Sequence, residues 1–141
     1  MTSRISHTTV DSRNAYAQSV WWAEVLGMHE DPDDPNEPGH EECMIFPSTG
    51  TGSGDGTTSA DSNGPVLFIE VPDAKTVKNR LHFDLRPTDR TRDEEIERVL
   101  GLGATEVSDL RQPDGGGWMV LADPEGNEFC ILRSEAEYPT D

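Results

Sequence analysis

The chain has 141 residues and a mass of 15.5 kDa, enough for one domain, and 33% hydrophobic residues leave material for a core despite a mean hydropathy of -0.67. A net charge of -17, from 28 acids against 11 Lys and Arg, argues against nucleic acid or an anionic membrane as partner, because binding phosphates needs a cationic surface. The longest apolar run, Trp118 to Ala122, is far too short to span a bilayer, and the polar N-terminus lacks a signal peptide's layout, so a soluble, cytoplasmic protein is expected.

Arg4 to Val10 is rich in β-branched residues and predicts a strand, after which Asp11 or Ser12 can cap a helix ending at Gly27. In that helix Ala15, Ser19, Trp22, Val25 and Leu26 recur at three- and four-residue spacing and mark a buried face. Residues 30 to 42 hold seven acids and three prolines and read as an acidic loop; Pro at the third ligand position and a missing turn glycine argue against an EF-hand. Cys43 to Phe46 is a short strand. Residues 48 to 64 contain five Gly and eight Ser or Thr and read as a flexible insertion, since neither phosphate-loop spacing is present.

Val66 to Val71 predicts a strand, and Arg80 to Arg86 a second one in which Leu81, Phe83 and Leu85 face one way and Arg80, His82, Asp84 and Arg86 the other. Thr91 to Leu102 is a helix with Thr91 as N-cap and Glu94 completing a capping box. Strands near Ala104 to Leu110, Trp118 to Ala122 and Glu128 to Arg133 follow, joined by Gly-rich and Asp-Pro turns. Cys43 and Cys130 are too few and too far apart for a disulfide framework or a CxxC site and are expected to be reduced.

The order strand, helix, three strands therefore occurs twice, and the landmarks agree. His7 and His82 lie in the two first strands, and Val-Leu-Gly closes both helices, 18 residues after His7 and 17 after His82. The expected fold is α+β: one domain over residues 1–141, built of two βαβββ modules at about 3–71 and 79–134 with a tail at 135–141. The modules would form a curved mixed sheet around a cleft, with the helices outside. Alternation assigns His7, Phe68 and Glu70, Arg80, His82 and Asp84, and Glu128 and Cys130 to the cleft face, and Trp118, at the start of a strand beside a glycine turn, is either a core residue or an aromatic wall of the pocket.

The stretches Ile5 to Asp11, Trp21 to Gly27, Asn79 to Leu85 and Asp123 to Cys130 resemble the vicinal oxygen chelate superfamily of glyoxalase I, extradiol dioxygenases, fosfomycin-resistance enzymes and bleomycin-binding proteins, and within it the glyoxalase-like subgroup common in actinobacteria. The resemblance covers about residues 3 to 134. It implies metal ligands at His7, Glu70 and His82, with Glu70 also a catalytic base, and a fourth position, usually Glu, that falls on Cys130. Cys130, Arg80, Asp84, Phe68 and Trp118 would line the ligand pocket. The ion would be Zn, Ni, Fe or Mn, all of which suit two imidazoles and a carboxylate, with a Cys tilting the set towards zinc and no organic cofactor expected. Two functions follow from the resemblance: a metal-dependent lyase, isomerase or dioxygenase acting on adjacent oxygens of a small molecule, other than a standard glyoxalase I, or a non-catalytic protein that sequesters a cationic drug, each as a homodimer.

Overall fold

The computed structural model describes residues 2–48 and 63–140, so most of the insertion expected at 48–64 lies outside the described residues. The chain divides into two compact units, Met1–Ala74 and Lys75–Asp141, and its class is α+β with two mixed sheets. No helix among the described residues is long and apolar enough to cross a membrane.

In the first unit β1 (Thr8–Ser12), α1 (Ala15–Leu26), β2 (Glu42–Ile45) and β3 (Val66–Glu70) form a helix and a three-stranded sheet in the order β1-β3-β2. β1 starts four residues later than expected. Its partner β3, parallel to it, begins at Val66, and the first ladder bond is Thr8 N–H to the Pro65 carbonyl, so residues before Thr8 have little strand to pair with. Asn14, not Asp11 or Ser12, caps α1 by accepting from the Ala17 N–H, and Gly27 closes it in the left-handed region at φ 64°. Ala15, Ser19 and Trp22 are buried as the spacing requires, with Gln18 joining them and Val25 and Leu26 half-buried. The third strand expected after α1 is reduced to a single bridge, His29 to Phe46, because the Pro- and acid-rich segment that follows cannot extend it.

The second unit holds β4 (Asp84–Leu85), α2 (Arg92–Gly101), β5 (Thr105–Asp109), β6 (Met119–Ala122) and β7 (Glu128–Ile131), in the sheet order β4-β7-β6-β5. Here the βαβββ order is complete. α2 has Thr91 as N-cap with Glu94 opposite it, as its sequence dictates. Met119, Leu121, Phe129 and Ile131 are buried together with Ile96 and Val99 of α2, leaving Val120, Glu128 and Cys130 to the other face by strand alternation.

The strand expected over 80–86 is only two residues long. Upstream of it a side chain replaces the ladder: Asn79 Oδ1 accepts from Glu128 N–H at 3.0 Å while Asn79 N–H donates to Glu128 Oε2 at 3.2 Å. The chain between runs through bends, and Leu81, expected in the hydrophobic layer, is 90% exposed.

Candidate functional site

In the second sheet, β4 lies parallel to β7 with Asp84 opposite Cys130, so both side chains stand on the face away from α2. His82, two residues before Asp84, brings its Nε2 to 3.3 Å from Asp84 Oδ1. Donor atoms of His82, Asp84 and Cys130 all lie within 4.8 Å of one another, and among the described residues this is the group that could hold a metal ion. Cys130 is buried, whereas His82 and Asp84 are exposed and give access. Burial first, then the charge of Asp84 and its hydrogen bond to the thiol, push Cys130 up to about 11, with Lys78 acting weakly in the opposite sense.

The neighbouring carboxylate is already committed. Glu128 shares the face of Cys130, but Lys75 Nζ holds its Oε1 at 2.9 Å and the Asn79 N–H its Oε2. Burial alone would raise its pKa, yet these bonds outweigh it and keep the group below its ordinary value.

The other expected site residues fall differently. His7 precedes β1 and shares a hydrogen bond with Ser6 Oγ at 3.1 Å, while Glu70 pairs with Ser12 at the far end of the same ladder. Five strand residues separate them, about 16 Å, too far to share an ion. Phe68 is a correction: it is fully buried and pairs with Cys43, whose thiol lies beside Ser19 of α1, so Val66, Phe68 and Glu70 occupy the parity that faces the helix. Val66 to Ile69 is apolar throughout, so alternation carried no information about which side faces α1. Arg80 is exposed in a bend, and Trp118, 43% exposed, precedes β6 with the parity of Val120 and Cys130.

The residues that sequence reasoning missed are those that hold the site. Asn79 and Lys75 fix β7 from the start of the unit, and Asp84, read as a pocket residue, is the group on which the other two converge. The polar parity of 80, 82 and 84 was the available signal for Asp84, while nothing in the local pattern marks Lys75.

Solved structures of similar fold include a mutant form of the fosfomycin resistance protein FosX from Listeria monocytogenes, in complex with Mn(II) and 1S,2S-dihydroxypropylphosphonic acid. It is 17% identical, with a TM-score of 0.65 over 97% of this chain and 94% of that one. FosX from Mesorhizobium loti is 19% identical, with a TM-score of 0.60 over 94% and 92%, and TioX from Micromonospora sp. ML1 is 18% identical, with 0.56 over 93% and 98%. These likenesses are to the fold. No curated protein matches the chain significantly in sequence. The family model for a glyoxalase-like domain matches residues 7–132, nearly the whole of both units, and the chain therefore belongs to the glyoxalase-like domain family.

Proposed function

We propose that the protein binds a small oxygen-rich molecule at a divalent-metal site formed by His82, Asp84 and Cys130, and acts on it as a lyase, isomerase or dioxygenase. The observation that carries this reading is the convergence of an imidazole, a carboxylate and a thiol on one sheet face within 4.8 Å. Donors on a tetrahedral ion stand about 3.5 Å apart, so small side-chain rotations would close the set. The sulfur favours zinc over the Mn(II) bound by the FosX from Listeria monocytogenes.

Bound there, such an ion supplies Lewis acidity to the substrate's oxygens. Asp84 is already the acceptor towards which the Cys130 thiol and His82 Nε2 turn, so its carboxylate would orient both donors about an ion that it also helps to hold. Lys75 and Asn79 hold Glu128 apart from that set. On this reading residues 1–141 act as one glyoxalase-like domain, and the resemblance also implies a cytoplasmic homodimer, the mass of which light scattering in solution checks.

The test is metal content and cobalt substitution in untagged protein. One ion per chain and a thiolate-to-cobalt charge-transfer band that disappears in Cys130→Ser are expected; no retained metal, or a band that survives the substitution, overturns the reading. The net charge of -17 favours a second reading, sequestration of a cationic drug. Tight binding of bleomycin by metal-free protein, with no metal uptake, would select it.

A further inference from the structure

The C-terminal end of the second unit gathers two arginines in a chain otherwise dominated by acids. Arg86 follows β4 and Arg133 follows β7, so they stand at the carboxyl ends of two parallel neighbours. The Arg133 guanidinium lies 3.9 Å over the Tyr138 ring, and that of Arg86 lies 5.2 Å from it. Arg86 Nη1 is fixed by two acceptors, the Arg133 carbonyl at 2.6 Å and the Tyr138 hydroxyl at 2.9 Å. Because that hydroxyl accepts from Arg86, its own proton remains to be donated.

The other edge of the Arg86 fork is held differently. Its Nε meets Glu135 Oε1 at 3.4 Å, and Glu135 is 84% exposed. Three other arginines have a closer carboxylate, Arg90 on Asp89 at 2.9 Å, Arg98 on Glu95 at 2.6 Å and Arg111 on Asp109 at 2.7 Å, while Arg92 Nε stands 3.5 Å from Asp93 and is seated on carbonyls instead. A long contact to a solvated carboxylate is readily exchanged, whereas a guanidinium edge suits two oxygens of a tetrahedral anion.

We infer that Arg86, Arg133 and Tyr138 form a binding site for a phosphate group, which displaces the Glu135 carboxylate and receives the Arg86 fork, the Arg133 charge and the Tyr138 hydroxyl proton. The inference goes beyond the metal reading, since none of these residues belongs to the His82, Asp84 and Cys130 group, and it is tested on metal-free full-length protein. Inorganic phosphate and phenyl phosphate are titrated by calorimetry at fixed ionic strength. Saturable binding is expected, weakened at least about tenfold in Arg86→Gln, with Arg133→Gln also weaker. Glu135→Gln, a surface change that leaves every other contact in place, should tighten binding several-fold. Equal affinities would mean that the free ion suffices, and tighter phenyl phosphate that an organic monoester is the ligand. Absence of saturable binding, unchanged affinity in folded Arg86→Gln, or no tightening in Glu135→Gln overturns the inference.

Discussion

By the resemblance, Cys130 falls at the position of a carboxylate in glyoxalase I enzymes, and its surroundings give that replacement a chemical consequence. Neither a buried thiol pushed up to about 11 nor a thiolate held on an ion replaces a carboxylate as proton shuttle, and Glu128 is tied to Lys75 and Asn79. Negligible turnover of the methylglyoxal-glutathione adduct is therefore expected from metal-loaded protein, with some gained in Cys130→Glu; robust wild-type activity in a lactoylglutathione assay would refute this. A second consequence concerns Glu137, whose Oε2 accepts from the N–H groups of Ser134 and Arg92 and from the Ser134 hydroxyl. Burial opposes ionisation, but these bonds outweigh it and hold its pKa below the usual carboxylate value. The stability it contributes is fully present above the ordinary glutamate pKa and is lost as pH falls through the lowered one. Glu137→Gln should lower the thermal midpoint at pH 7 and converge on wild type as pH falls below about 4; a pH-independent difference would contradict the assignment. The face shared by His82, Asp84 and Cys130 was legible because polar and apolar residues alternate there, whereas the side of β3 that faces α1 was hidden by a run of apolar residues ending in Glu70.

Helix ends and turns account for how far the elements could be read. α2 was bounded correctly because Thr91 and Glu94 announce its start, while α1 took Asn14 rather than an earlier Asp or Ser, since β1 continues through Ser12 in pairing with Glu70. Asn14→Ala should cost about 1 kcal/mol in chemical denaturation. Between β5 and β6, Gly117 has φ 76° and a Cβ there would collide with the Leu110 carbonyl, so Gly117→Ala should destabilise by at least about 2 kcal/mol. Gly115 is the control. Its φ is 92°, yet the nearest atom to a Cβ is the flexible Arg133 Nη1 at 3.7 Å, so Gly115→Ala should cost clearly less. Equal losses would show that conformation, and not the close approach, governs this turn. The short β4 could not be foreseen, because what interrupts it is the Asn79 side chain bonding across to Glu128, 49 residues away.

At the scale of the whole molecule the charge of -17 sets the solution behaviour. Self-repulsion acts over roughly 30 Å at 0.01 M salt and about 10 Å at 0.1 M, so the thermal midpoint should rise with sodium chloride across that range. A flat response would mean that the acids are neutralised locally. The two units also differ in how their parts are tied. In the second, the Arg92 guanidinium donates to the carbonyls of Gly115, Gly116 and Gly117, while the Arg92 N–H donates to Glu137. One residue at the start of α2 thus joins a turn more than twenty positions ahead to the last turn of the chain. Such a junction makes those segments a single cooperative opening unit: the amides of α2, of the turn before β6 and of the C-terminal turn should exchange with deuterium at a common free energy, and loosening any one of them should release the other two together.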